Sequence, residues 1–364
     1  MRTAYERRCS RRRFLGGVTL AGAVGLLGLH PRLVAAEPPP EVTTLRLTKL
    51  PSTCRAPQWV AEALLAAEGF TAVHYVPVGA GGQGANRTGV ALVAGQVDLS
   101  MQFIGPSLLQ VDVGEPLVLL AGIQIGCYEL FGTERVQAIR DLKGKTVAAG
   151  PVRDSGHTFL ASMAAFVGLK PATDITWIDS SDPEALQLFA AGHVDALMAT
   201  PPRAQEARAR QLGHVIVSTV RDRPWSQYFC CLLAGHRDFV RRYPVATKRA
   251  LRAILKATDL CAREPEWVAR FLVDEGYAER YDYTLQALQE IPYNQWREYD
   301  PEDTVRFHAL RLHEAGMVKT IDASLHDGTF LPPAIRLPGV GPLSGRQWCR
   351  RAPARPREAE WPAT

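Results

Sequence analysis

Ala94-Gly95-Gln96-Val97-Asp98 recurs as Ala191-Gly192-His193-Val194-Asp195, 97 residues further along a chain of 364 residues. Each copy follows a helical stretch and leads into an apolar run, Val97 to Phe103 in the first case and Val194 to Ala199 in the second. In each, the glycine suits the left-handed position that ends a helix, with a strand starting two residues later. Five residues alone carry little weight, but matching context on both sides predicts one α/β unit used twice, with a cleft between two similar halves.

Outward from the echo, short β-like runs alternate with amphipathic stretches. Strands are predicted at Thr44–Lys49, Val73–Val78, Val97–Phe103, Leu117–Ile123, Thr146–Ala149, Ile175–Ile178, Val194–Ala199, Val215–Thr219 and Tyr228–Ala234. Helices are predicted at Pro57–Glu68, His157–Val167, Pro183–Ala191 and Pro201–Gln211, several opening on a proline whose missing N–H costs nothing in the first turn. This alternation predicts an α/β fold with largely parallel sheets. From His236 to Gly316 the chain reads as helix almost throughout, broken by Pro244, Pro265, Pro292 and Pro301. Such a run is expected to cover a sheet rather than to form a site.

The formal charge of +5 and pI near 8.8 are unevenly placed. The first 36 residues hold seven Arg against Glu6, and Pro332–Thr364 holds six Arg and seven Pro against two acids, so residues 37–331 carry −5. A mildly acidic body removes the argument for nucleic acid as a partner. With 46% hydrophobic and 22% charged residues, the chain is neither disordered nor collagenous, and its length suits about two cores.

In the leader, Ser10-Arg11-Arg12-Arg13-Phe14-Leu15 precedes the apolar run Val18–Leu29, and Val34 and Ala36 offer the small residues of a cleavage site. This pattern resembles a twin-arginine export signal cleaved near Ala36. The run is too short for the roughly 20 residues that span a bilayer. Glu37, where a lipoprotein would carry Cys, points to a soluble periplasmic product. The texture of residues 332–364 predicts either a disordered tail or a frameshifted end.

Without Cys9 six cysteines remain, with no C-x-x-C pair. Cys230 and Cys231, adjacent in an apolar strand, are expected to point to opposite faces as buried packing thiols. His157, His193, His214 and His236 lack metal-site spacing, and neither Ser155 nor Ser181 sits in a G-x-S-x-G elbow. No catalytic residue, metal or cofactor is therefore expected.

Pro183-x-x-Ala185-Leu186-x-Leu188-x-x-Ala191-Gly192-x-Val194-Asp195-Ala196, together with Asp141-Leu142-Lys143-Gly144-Lys145-Thr146-Val147-Ala148 and the helical end, resembles the nitrate/sulfonate/taurine periplasmic binding proteins of ABC importers. That family also includes binders of thiamine-pyrimidine precursors. The resemblance spans residues 42–320 and implies a two-lobed periplasmic-binding-protein fold of type II. Lobe one would comprise 42–125 plus 230–331, its helical C-terminal part packing on it, and lobe two 126–229. It implies a non-enzymatic, monomeric solute-binding protein that closes on a small ligand and meets an inner-membrane permease transiently. An enzyme of pyrimidine or related metabolism on the same fold, or a periplasmic sensor partner, are the alternatives.

Ligands of open α/β sheets bind beyond the carboxyl ends of strands. After the first strand Thr53 and Gln58 qualify, Thr53 alternatively capping a helix. After the second come Gly81 and Gly82, in the loop Gly79–Gly84, where backbone can approach an anion. Gln102 offers a donor and an acceptor, and Phe103 a stacking face, although adjacent strand residues face opposite ways. In lobe two the resemblance points to Ser155 and His157 at a helix start, with Asp154 as cap. Thr200 is the counterpart of Phe103, and Tyr228, with Trp225 and Gln227, could form an aromatic wall. Arg55 and Arg153 are the fixed cations of these loops, which favours a monoanion or a neutral heterocycle over a multivalent anion.

Overall fold

The computed structural model describes residues 37–78 and 87–319. The Gly81 and Gly82 positions, the export signal and the tail from 332 lie outside the described residues. Ten strands are described: β1 Thr44–Lys49, β2 Ala72–Pro77, β3 Leu99–Phe103, β4 Leu117–Ile125, β5 Glu129–Gly132, β6 Lys145–Ala148, β7 Ile175–Ile178, β8 Ala196–Ala199, β9 His214–Ser218 and β10 Phe229–His236. The helices are α1 Ala56–Trp59, α2 Glu62–Ala67, α3 Arg87–Val93, α4 Ile104–Asp112, α5 Ser155–Phe166, α6 Pro171–Asp174, α7 Asp182–Ala190 and α8 Arg203–Ala209. They continue as α9 Arg237–Arg242, α10 Pro244–Arg263, α11 Pro265–Asp274, α12 Tyr281–Glu290 and α13 Pro301–Glu314.

The strands form two five-stranded sheets, ordered β2-β1-β3-β10-β4 and β7-β6-β8-β5-β9. Both share one plan, three adjacent parallel strands, then an antiparallel one, then a fifth that runs with the first three, so the unit marked by the echo occurs in each. Gly95 and Gly192 take φ of +66° and +73° at the ends of α3 and α7, the backbone that a Cβ disfavours. Pairing is less parallel than the alternation predicts. β10 runs antiparallel between β3 and β4, and β5 antiparallel between β8 and β9. Both enter their sheets by crossing between lobes instead of through a helical crossover, which is what a parallel neighbour requires. β5 was not foreseen, because its four residues are all buried and show no period.

Gly126 and Cys127 carry the chain out of the first sheet, and the segment from Thr219 to Tyr228 returns it. Thr219 joins the two crossovers, its Oγ1 accepting from the backbone N–H groups of Cys127 at 3.1 Å and Tyr128 at 2.9 Å. The C-terminal helices cover the first sheet as expected, α10 packing on α1, α2 and β4. Its Leu251, Ile254 and Leu255 are buried, each contributing about 1.5–3 kcal/mol in area burial. The lobes also touch directly, α5 of the second packing against α4 and α13 of the first.

Candidate functional site

Beyond the C-terminal ends of β1 and β3 a buried chain of hydrogen bonds leads to a guanidinium. Thr48 and Ser100 share a hydrogen bond of 2.6 Å, and Gln102 Nε2 donates to Ser100 Oγ at 2.8 Å. Thr88 Oγ1 then donates to Gln102 Oε1 at 3.0 Å and accepts from Arg55 Nη2 at 3.2 Å. Arg55 is 4% exposed, and among the described residues no carboxylate lies within ion-pair distance of it. Burial pulls its pKa below the ordinary arginine value, opposed by the negative potential of Cys231 and Asp154. A buried guanidinium of this kind is costly unless something anionic meets it.

Four polar atoms of Arg55 and nearby segments, three donors and one acceptor, Gln124 Oε1, are unpaired among the described residues. Arg55 Nη1, Thr53 Oγ1, Gln124 Oε1 and the Tyr128 hydroxyl are all buried without a hydrogen-bond partner among the described residues. Burial pushes the Tyr128 hydroxyl well above its ordinary pKa, so it remains a donor. On the far side lie the thiols of Cys54, Cys127, Cys230 and Cys231, all buried. Cys231 Sγ accepts from Gln124 Nε2 at 3.5 Å. Burial would raise the Cys231 pKa, but hydrogen bonds from Cys127 and Cys230 and the charge of Arg55 outweigh it and draw it down to about 5.

Two of the expected site residues, Gln102 and Ser155, reach this network through Thr88 and Tyr128, and Thr53 lies two residues before Arg55. Thr53 presents its free hydroxyl, with no side-chain cap from Ser52 before it. Gln102 is in contact with Thr88, and Ser155 stands beside Tyr128. Phe103 packs on Tyr128 with ring centroids 5.6 Å apart. Gln58 is buried but spends both ends on the backbone, Nε2 donating to the Thr48 carbonyl at 2.8 Å and Oε1 accepting from Met101 N–H at 3.0 Å. His157 stacks edge-on against Trp177 at 4.4 Å, and burial with nearby Arg153 takes its pKa down to about 4. Asp154 caps α5, accepting from Ser155 N–H at 2.7 Å. Thr200 is half-buried and accepts Ala204 N–H at the start of α8. Tyr228 stacks on Phe307 of α13 at 3.8 Å, and buried Trp225 packs on Phe159 of α5 and Phe307 of α13, so Trp225 links the two helices.

Sequence reasoning missed Thr88, Gln124, Tyr128 and the thiol cluster. Cys230 and Cys231 do not face opposite ways, since their sulfurs are 3.5 Å apart. The register of β10 against β4 slips between Phe229 and Cys231, so Cys230 is the extra residue of a β-bulge and both thiols turn to one side. A shallow depression lined by Thr44, Arg46, Asp98 and Tyr243 lies at the opposite end of β1, where Arg46 is already paired with Asp98.

Sequence comparison matches residues 38–270 to the NMT1-like family. The chain belongs to that family. The match covers both sheets of this NMT1-like protein and bears out the resemblance read from its motifs. No match is found among curated proteins. Among solved structures, the alkanesulfonate-binding protein of Xanthomonas axonopodis pv. citri bound to MOPS is similar at 18% identity and TM-score 0.62, over 79% of this chain and 96% of that one. The periplasmic nitrate-binding protein of Synechocystis PCC 6803 is similar at 16% identity and TM-score 0.62, over 80% and 86%. A Candida albicans protein described as having the generic periplasmic binding protein fold gives 13% and 0.62, over 82% and 99%. The NMT1-like chain therefore has the two-lobed periplasmic-binding-protein fold.

Proposed function

We propose that this protein is the solute-binding component of an ABC importer, and that its ligand is a small monoanion held on Arg55 between the lobes. One observation carries the reading. Among the described residues, Arg55 Nη1, Thr53 Oγ1 and the Tyr128 hydroxyl are buried donors without hydrogen-bond partners, and no described carboxylate pairs with the Arg55 guanidinium. A singly charged oxyanion satisfies all three and the charge at once. Sulfonate and nitrate, named for two structures of the same fold, belong to this class.

Arg55 belongs to the first lobe, whereas Tyr128 and Ser155 lie past the first crossover. Contacts to both sides exist fully only in the closed form, so the ligand shifts the balance toward closure by that differential affinity. A permease in the inner membrane reads the closed form, and the protein acts in the periplasm as a monomer without cofactor or catalysis. This reading takes 42–125 plus 230–331 and 126–229 as the lobes, and cleavage near Ala36.

Thermal denaturation and calorimetry of the mature chain with nitrate, ethanesulfonate and sulfate test it. A monoanion is expected to stabilise the protein by RT ln(1 + [L]/Kd), about 2.7 kcal/mol at a hundredfold excess over Kd. The response disappears in Arg55→Gln and is weaker for sulfate. Binding that survives Arg55→Gln, or no response to any monoanion, overturns the assignment.

A further inference from the structure

Three thiols from two distant segments meet where the chain crosses between the sheets. Cys127 stands on the outgoing crossover, and Cys230 is the bulge residue at the start of the returning strand β10. Their sulfurs are 2.7 Å apart and Cys231 Sγ is 3.5 Å from Cys230 Sγ, all three fully buried. We infer that Cys127 and Cys230 are a cystine pair that ties the two crossovers together, with Cys231 as the thiol that exchanges with them.

The geometry selects this pairing. A disulfide needs its sulfurs about 2.05 Å apart, so Cys127 and Cys230 need a shift of well under 1 Å, and the pairing of Phe229 with Ile125 already holds the two backbones side by side. Joining Cys230 to Cys231 would instead close a strained ring between neighbouring residues. A metal ion would need the sulfurs about 3.8 Å apart, as follows from Zn–S distances of about 2.3 Å. Both measured separations are shorter.

The electrostatics favour the same division of roles. Burial pushes the Cys127 and Cys230 thiols well up, so neither is the thiolate that starts the exchange, whereas Cys231 faces Arg55 and Gln124. Exchange therefore begins at Cys231, whose thiolate attacks an external disulfide such as glutathione disulfide and releases one glutathione thiolate. Cys127, giving its proton to the departing thiolate, displaces the second glutathione from Cys231, and Cys230 then attacks Cys127, freeing Cys231 as the thiolate beside Arg55. In sum, two protein thiols and one glutathione disulfide give one protein disulfide and two glutathione thiols, two electrons passing to glutathione with two protons. The resulting loop of 103 residues encloses the whole second sheet.

The test is to refold the full mature chain in a glutathione redox buffer, alkylate it under denaturing conditions and map the peptides by mass spectrometry, with a dithiothreitol-reduced sample beside it. The expected result is a Cys127–Cys230 cross-link in the oxidised sample only, with Cys54, Cys231, Cys261 and Cys349 alkylated in both. The oxidised protein melts higher than the reduced one. That gap vanishes in Cys127→Ser and in Cys230→Ser and persists in Cys231→Ser. Full alkylation of the oxidised sample, a different pairing, or one equivalent of metal released on alkylation overturns the assignment. If a serine variant does not fold, the wild-type peptide map decides alone.

Discussion

Asp98 and Asp195 hold the same post in the two halves of the molecule. Asp98 accepts the backbone N–H of Arg46 on β1 at 2.7 Å, and Asp195 accepts that of Thr146 on β6 at 3.0 Å. Each also gives its own N–H to the carbonyl of the same partner, at 2.9 and 2.7 Å, and each forms an ion pair with an arginine, Arg46 or Arg135. The final aspartate of the echoed pentapeptide thus ties β3 to β1 and β8 to β6, the third and second places in each strand order. Replacement by Ala is expected to cost about 1–3 kcal/mol at Asp98, which is 5% exposed and leaves a strand N–H without its acceptor. Asp195→Ala costs less, since Asp195 is only half-buried and Arg135 is mostly exposed. Urea denaturation measures both, and losses under about 0.5 kcal/mol in each would show that the echo has no structural role.

Arg55 separates a binding residue from a structural one. Among the described residues its desolvated charge gains only Thr88 as a side-chain hydrogen-bond partner, so Arg55→Met is expected to leave the ligand-free protein as stable as before or more stable by about 1–3 kcal/mol. The same substitution abolishes the stabilisation by monoanions. A ligand-free protein destabilised by Arg55→Met would make the guanidinium part of the scaffold.

The pattern of apolar runs and prolines located nine of the ten strands to within a few residues, because each run is bounded by polar loops and buried in one sheet. What it missed follows from topology. β5 has no period, and the direction of β10 depends on a crossover that local sequence does not encode. Arg55 was visible as a cation after β1, but its burial depends on Thr88, Gln124 and Tyr128 arriving from three other segments. Cys230 and Cys231 were misread because a bulge depends on register with β4, which alternation along one strand cannot reveal. Thr53 and Gln102 were legible because both follow directly from strand ends.

His308 on α13 makes the protein acid-sensitive. It is 2% exposed, its Nε2 has no partner among the described residues, and it lies against Phe159 on α5 at 5.2 Å. Burial takes its pKa down to about 3. The folded state therefore holds it neutral, while the unfolded chain takes up a proton below its usual value of about 6.5, so stability falls as pH drops through that window and levels off near the folded value. Replacing it with Leu removes this term. The stability of His308→Leu relative to wild type is expected to rise by about 2 kcal/mol between pH 7.5 and pH 5. Urea midpoints at the two pH values measure the change, and a constant difference would exclude His308 as the source.

Closure itself is testable at Gly105, the second residue of α4. A Cβ there would collide with Thr158 Oγ1 and lie 2.9 Å from Thr158 Cβ on α5 of the other lobe, so the approach of the lobes depends on the missing methyl. Within α4 alone, alanine favours the helix by up to about 1 kcal/mol, so Gly105→Ala is not expected to unfold the first lobe. The collision instead penalises the closed form, and a penalty of about 1.4 kcal/mol weakens ligand affinity about tenfold. Small-angle scattering with saturating ligand would show a larger radius of gyration than in the wild type. Thr158→Ala removes the nearer of the two opposing atoms, the hydroxyl, which otherwise only donates back to the Ser155 carbonyl at 3.0 Å, and leaves the Cβ contact, so it should restore part of the affinity in the double variant. Unchanged affinity in Gly105→Ala, or a loss that Thr158→Ala does not lessen, would mean that the α4–α5 contact takes no part in capture.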